Sequence, residues 1–197
     1  MRQIMNKSLI KKLVLSVSLM LTALAIYLGY RTIIPPYLSV QCEQGPIVDY
    51  NEARDKQEIL NIFQTEKHWL LSSDDYDPEF MLKYKAPNRN PLYLGTAHIK
   101  VYLEDGKFAG FSVYHKKTVT EGTILFIAVK KEFRNRGIAK KLTQAAIDDL
   151  KRMGFKRVTI LTRTQNLPAQ AVYTKLGFHE INRDVDGYVY YDMDVSK

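Results

Sequence analysis

Seven consecutive residues, Arg134-Asn135-Arg136-Gly137-Ile138-Ala139-Lys140, have the types and order of a phosphate cradle. They follow an apolar, β-branched run at 124–129 that reads as a buried strand. They lead into a stretch where Ile138, Leu142, Ala146, Leu150 and Met153 recur at helical spacing. A turn feeding a helix start points unpaired backbone N–H groups at one place, where the helix dipole also favours negative charge. Gly137 lets the backbone approach a ligand closely, and Arg134, Arg136, Lys140 and Lys141 add positive charge. The same features describe an ordinary solvated basic turn. Two known cradles are excluded, since the chain has neither G-x-x-x-x-G-K-S/T nor G-x-G-x-x-G.

The next elements supply context. Residues 157–162 (R-V-T-I-L-T) read as a second strand, so strand, helix and strand imply a parallel, right-handed crossover. A short helix follows, with Pro168 in its first turn and Gly177 at its end. Arg134, Gly137 and Ala139 form R-x-x-G-x-A, which resembles the acyl-CoA pyrophosphate loop (Q/R-x-x-G-x-G/A) of the GNAT superfamily of N-acetyltransferases. Asn166, Ala169, Tyr173, Lys175, Gly177 and Phe178 match that family's second signature, N-x-x-A-x-x-x-Y-x-K-x-G-F, at each named position.

The resemblance implies acetyl transfer from acetyl-CoA to a primary amine of a small molecule, peptide or protein. The alternative is a non-catalytic GNAT-like module that binds acyl-CoA or a partner at a membrane. It implies that two central strands part and that the backbone of Ile127, Ala128 and Val129 holds the pantetheine arm. The turn from Arg134 to Lys140 would hold the pyrophosphate, and Asn166 would contact the cofactor from the other side. Tyr173 stands where the family keeps its general acid, and a phenol of pKa about 10 is protonated at neutral pH. The competing role for Tyr173 is a core tyrosine. Glu121 is the candidate base, with surface charge as its alternative. His98 and His115 lie beside the expected cleft, and Asp74, Asp75, Asp77 and Glu79 fall where the family shapes its acceptor site. No metal is implied: one Cys and four scattered His give no metal-ligand spacing.

The elements that must position these groups read in order as follows. Residues 46–50 suit a strand and 52–71 an amphipathic helix, followed by an acidic loop at 72–78 and a short helix at 79–84. Residues 97–103 and 107–115 alternate as strands about Glu104-Asp105-Gly106, and 179–183 with 188–194 form a last hairpin. The expected fold is α/β with a mixed sheet, the GNAT fold, over residues 46–197.

Ahead of it lies a basic segment at 1–12 and an uncharged, mostly apolar run at 13–30. As a helix the run spans roughly 27 Å, close to bilayer hydrocarbon thickness, so a transmembrane anchor is expected, with 31–45 as linker. The rival is a signal peptide cleaved after Ala25, at Ala23-Leu24-Ala25. The expected location is a single-pass membrane protein. Basic residues ahead of the run place the following domain outside the cytoplasm, at odds with a need for acyl-CoA, so the side stays open. Of the net charge of +8, Arg2, Lys7, Lys11, Lys12 and Arg31 supply five, so the domain lacks a nucleic-acid-binding imbalance.

Overall fold

A computed structural model describes residues 46–73, 75–89 and 95–196. The proposed span at 13–30, its cleavage site, the linker and Asp74 lie outside the described residues. Among the described residues no helix is long and apolar enough to cross a membrane.

Among the described residues seven strands form one sheet in the order β1-β2-β3-β4-β5-β7-β6. They are β1 (Ile47–Asp49), β2 (His98–Glu104), β3 (Lys107–Lys116), β4 (Glu121–Val129), β5 (Arg157–Arg163), β6 (His179–Arg183) and β7 (Tyr188–Asp194). All neighbours are antiparallel except β4 and β5, which the crossover helix α4 (Ile138–Arg152) makes parallel. The other helices are α1 (Glu52–Thr65), α2 (Lys67–Leu70), α3 (Pro78–Tyr84) and α5 (Leu167–Leu176).

Local chemistry sets the boundaries. Asn51 caps α1 through Arg54 N at 3.1 Å, and Asp55 reaches back to Asn51 N at 2.8 Å. Asp55 is fully buried, and the Arg54 guanidinium beside it supplies the compensating charge at 2.6 Å. The single helix expected over 52–71 is two, because the backbone leaves helical geometry at Glu66 (φ −114°, ψ 20°). The Thr65 hydroxyl, bonded back to the Asn61 carbonyl at 2.9 Å, competes with the helical ladder there. Periodicity hid this break, since the apolar spacing runs on through Leu70. Asp77, expected in an acidic acceptor loop, caps α3 and is ion-paired to Arg89. Between β2 and β3, Asp105 and Gly106 both take positive φ, the pattern of a type I′ hairpin.

The sheet is covered on both faces. α1 and α3 pack Ile59, Ile62, Phe63, Met81 and Leu82 on Ile99, Val101, Phe111, Val113 and Phe126. On the other face α4 sets Ile138 and Leu142 against Tyr102 and Ala109. Its later turns share a cluster with Tyr173 of α5 and with Ile124, Val158, Ile160 and Val189. Met153, expected on this buried stripe, lies past the last turn and is exposed. Asp149 fastens α4 to the sheet through Tyr114 and Lys100.

β3 approaches β4 closely at Gly110, where a Cβ would stand 2.5 Å from the Ala128 carbonyl oxygen. That neighbour is backbone and cannot rotate away. Gly110→Ala is therefore expected to destabilise the fold by about 1–3 kcal/mol. Urea titration of both proteins checks this; an unchanged midpoint would show that β4 shifts freely.

Candidate active site

β4 and β5 pair only over their first four residues, Glu121 to Ile124 against Arg157 to Ile160. β4 then stays with β3 as far as Val129, and β5 stays with β7 as far as Arg163, so the two strands part. The cause is visible in the register. Val113 opposes Phe126 while Tyr114 opposes Ile124, so Leu125 is an extra residue in β4. Such a bulge bends a strand and sharpens its twist. Past it, β4 keeps its ladder to β3 but has no strand on the β5 side.

A cavity of about 710 Å³ occupies the gap. Ile127, Ala128 and Val129 form one wall, and Thr162, Arg163, Asn166 and Tyr173 another. Its outer end meets the start of α4. Gly137 sits there at φ 75°, in the left-handed region, and no side chain caps the helix. Asn51, Asp77 and Asn166 cap α1, α3 and α5. The first amides of α4 are thus left for something outside the chain. Asn135 also takes positive φ (62°), which asparagine tolerates better than most residues. A Cβ on Gly137 would meet no protein atom within 4 Å, so within the fold its requirement is conformational.

Ile127, Ala128, Val129, Arg134, Asn135, Gly137, Ile138, Ala139, Lys140, Asn166 and Tyr173 all line this cavity. Ile138 is buried beneath α4, so its main chain is the part able to serve a ligand. Asn166 accepts from Ala169 N at 3.4 Å and donates to the Thr162 hydroxyl at 3.1 Å. Arg134 is turned inward, its Nε on the Val129 carbonyl at 3.0 Å and its guanidinium on Glu66 at 2.9 Å. Arg136 does not line the cavity; it donates to the Glu132 carbonyl, pairs with Glu104 at 3.6 Å and stacks on Phe133. Lys141 turns to the Tyr102 hydroxyl at 3.1 Å. The positive charge read from the turn is therefore dispersed, and Lys140 with the amides remains.

Glu121 is not brought to the site. It opens β4, four residues before the bulge and within the stretch paired to β5, where it is ion-paired to Arg157 at 3.7 Å. His98 stacks on Tyr114, and burial lowers its pKa; His115 is buried within β3. Neither lines the cavity.

Tyr173 combines both of its possible roles. Its ring packs on Phe178 and Tyr191 at centroid distances of 6.0 and 5.7 Å, and the residue is 7% exposed. Among the described residues its hydroxyl has no hydrogen-bond partner, yet the residue lines the cavity. Burial pushes the phenol pKa well above its usual value, with Tyr191 adding to the rise, so the proton is held at any physiological pH.

Two lining residues escaped the sequence reading. Glu66 is the one carboxylate lining the cavity among the described residues, and its side chain is 12% exposed. Arg163 donates from Nε to the His68 carbonyl at 2.5 Å and from Nη2 to the Leu71 carbonyl at 3.0 Å. Together, Glu66–Arg134 and Arg163 tie the α1–α2 segment across both parted strands as a strap. Only the helix break at Glu66 could have signalled this, and the periodicity masks it.

Residues 56–178 match the acetyltransferase (GNAT) family. The chain belongs to that family. GNAT relatives include N-alpha-acetyltransferase 30 of Schizosaccharomyces pombe, 36% identical over 42% of this chain. Another is the ribosomal protein bS18-alanine N-acetyltransferase of Escherichia coli strain K12, 31% identical over 48% of this chain. The chain spans only 58% and 61% of the length of these two relatives. The GNAT fold is shared with yncA of Salmonella typhimurium, solved with its cofactor acetyl-CoA. That likeness has a TM-score of 0.62 at 16% identity, over 77% of this chain and 94% of that one. Among the described residues no cluster of His, Cys, Asp or Glu could hold a metal ion.

Proposed function

We propose that this chain transfers the acetyl group of acetyl-CoA to a primary amine, and that the amine is the N-terminal α-amine of a polypeptide. The observation that carries the first part is the parting of β4 from β5 beside the uncapped start of α4. The free backbone of Ile127 to Val129 suits the amides of a pantetheine arm, and the amides of Ile138 to Lys140 suit a pyrophosphate. The neutral amine nitrogen attacks the thioester carbon to form the amide C–N bond. The C–S bond breaks and the departing sulfur takes the Tyr173 proton, and the proton shed by the nitrogen leaves to water, which returns one to Tyr173.

The second part follows from the lack of a spare base. Glu66 is held by Arg134, and no histidine lines the cavity among the described residues. An α-amine with a pKa of about 7.7–8.0 is partly neutral at physiological pH and needs little help to lose its proton. A lysine amine at about 10.4 would need a dedicated base. The names of the two relatives, an N-alpha-acetyltransferase and an alanine N-acetyltransferase of a ribosomal protein, support the same choice. The test is mass spectrometry of the purified chain with acetyl-CoA, peptides with free α-amines, and blocked peptides offering lysine alone. Acetylation of the α-amine is expected. Tight acetyl-CoA binding without turnover on any amine would leave a binding module instead.

We further propose that residues 13–30 are retained as a single-pass anchor, on the strength of their uncharged, apolar run. The full-length chain is then expected in the membrane fraction after carbonate washing, with residues 1–25 present on N-terminal sequencing. A soluble protein beginning at Ile26 would overturn this.

A further inference from the structure

Part of the wall along β4 is taken by the chain itself. Arg134 folds back over the end of the strand and donates from Nε to the Val129 carbonyl at 3.0 Å. Val129 is one of the three residues whose main chain would serve the pantetheine arm, and it lines the cavity with Arg134. The other end of the same guanidinium, Nη2, lies 2.9 Å from Glu66 Oε1. Glu66 is where α1 stops, and its carbonyl accepts from Trp69 N at 2.9 Å, inside the strap. Lys131 Nζ stands 3.7 Å from the same Glu66 oxygen.

The members of this cluster differ in burial. The Glu66 side chain is 12% exposed, whereas that of Arg134 is 43% exposed. Glu66 is therefore the anchored member and Arg134 the one with room to move. An arm that bonds the Val129 carbonyl competes with Arg134 Nε for it. A pyrophosphate at the start of α4 competes with Glu66 for the guanidinium, because both are oxyanions that a guanidinium pairs with.

We propose that the Glu66–Arg134 pair is a latch: in the free protein it holds Arg134 across the cofactor's seat and ties the strap to β4, and acetyl-CoA opens it by drawing Arg134 away. This rests on the acetyl-CoA reading of the cavity. Once Arg134 has left, Glu66 still has Lys131 beside it, so the opening creates no spare base. Of its two arginine ties the strap keeps Arg163, through the His68 and Leu71 carbonyls. Leu70, Leu71 and Ser72 of the strap line the cavity, so seating the cofactor loosens one of its walls. A half-exposed ion pair that must open first weakens cofactor affinity by about two- to fivefold.

The test uses the full chain, its variants Glu66→Gln and Arg134→Ala, the double variant, and CoA as the probe. Calorimetry gives the affinities. Trp69, the one tryptophan of the chain and a residue of the strap, gives a fluorescence reading on the strap. Glu66→Gln is expected to bind CoA about two- to fivefold tighter than wild type. In the Arg134→Ala background the same substitution should change affinity by less than about 1.5-fold, because its effect runs through Arg134. CoA should shift the Trp69 emission of wild type, and Glu66→Gln should show much of that shift before CoA is added. Equal tightening in both backgrounds would mean that Glu66 repels the cofactor by charge alone, and would overturn the latch. Weaker CoA binding by a folded Glu66→Gln protein, or an emission that neither CoA nor Glu66→Gln moves, overturns it too. Each of these leaves CoA bound and the cofactor reading standing. CoA bound by none of the four proteins removes both.

Discussion

Tyr173→Phe is expected to leave acetyl-CoA affinity unchanged and to slow turnover by about 10²-fold, the low end of what a lost general acid costs. The substitution deletes one hydroxyl. The ring that remains keeps its contacts with Phe178 and Tyr191, so the second core cluster and the register of α5 persist. Cofactor affinity should persist too, because it would rest on the backbone of β4 and the amides of α4. The effect sits at the low end because a thiol of pKa about 8.5 is already a fair leaving group. Burial raises the phenol pKa and so favours the neutral form. The rate carried by Tyr173 should therefore be fully present at neutral pH and show no falling limb below about pH 10, the pKa of a free tyrosine. Steady-state turnover against pH, with calorimetry of acetyl-CoA binding, decides the matter. A loss smaller than about threefold would make Tyr173 structural and give the proton to water.

Gly137→Asp should cost CoA affinity about a hundredfold. A carboxylate at this position stands at the uncapped start of α4, where the pyrophosphate would lie. Two unit charges about 5 Å apart at an effective dielectric of about 20 repel by roughly 3 kcal/mol. The φ of 75° adds strain for any residue with a Cβ, about 1–2 kcal/mol of fold stability. Gly137→Ala separates the two effects: it shares the strain and lacks the charge, so it should lower the melting temperature and retain most of the affinity. Unchanged CoA binding by a folded Gly137→Asp protein would remove this turn from the site.

The parts of the site that depend on backbone were legible in the chain. R-x-x-G-x-A marked the turn at φ 75°, and the spacing of Asn166 and Tyr173 marked one helix with its cap and its inward face. Side-chain direction was not legible. Arg134, Arg136 and Lys141 looked like one positive cluster because they are close in sequence, yet Glu66, Glu104 and Tyr102 draw them to different partners. Those partners come from other elements, so no local pattern could reveal them. Glu121 lies away from the cavity for a different reason. β4 starts three residues earlier than its apolar run suggests, and Glu121 opens it four residues before the bulge, within the stretch paired to β5. The strap was hidden because the apolar stripe of α1 continues unbroken in sequence where the helix stops in space.

The halted pairing of β4 and β5 also bears on what holds the two sides of the molecule together. β1 to β4 and β5 to β7 are two small sheets joined by a four-residue seam. A ligand seated in the gap would act as the missing length of that seam, taking up N–H and C=O groups of 125–129 that face no strand. Binding to the folded form alone raises stability in proportion to the logarithm of ligand concentration. Deuterium uptake should then split along one strand. The seam at 121–124 should exchange slowly whether or not CoA is added, and those amides of 125–129 that face the gap rather than β3 should change from fast to slow on adding it. Equal protection of both stretches in the free protein would mean that the seam is mechanically complete without its ligand. If the split is seen, loss of the ligand unfastens the middle of the sheet, and the ligand-free protein is the form most exposed to proteases and to strand-adding partners.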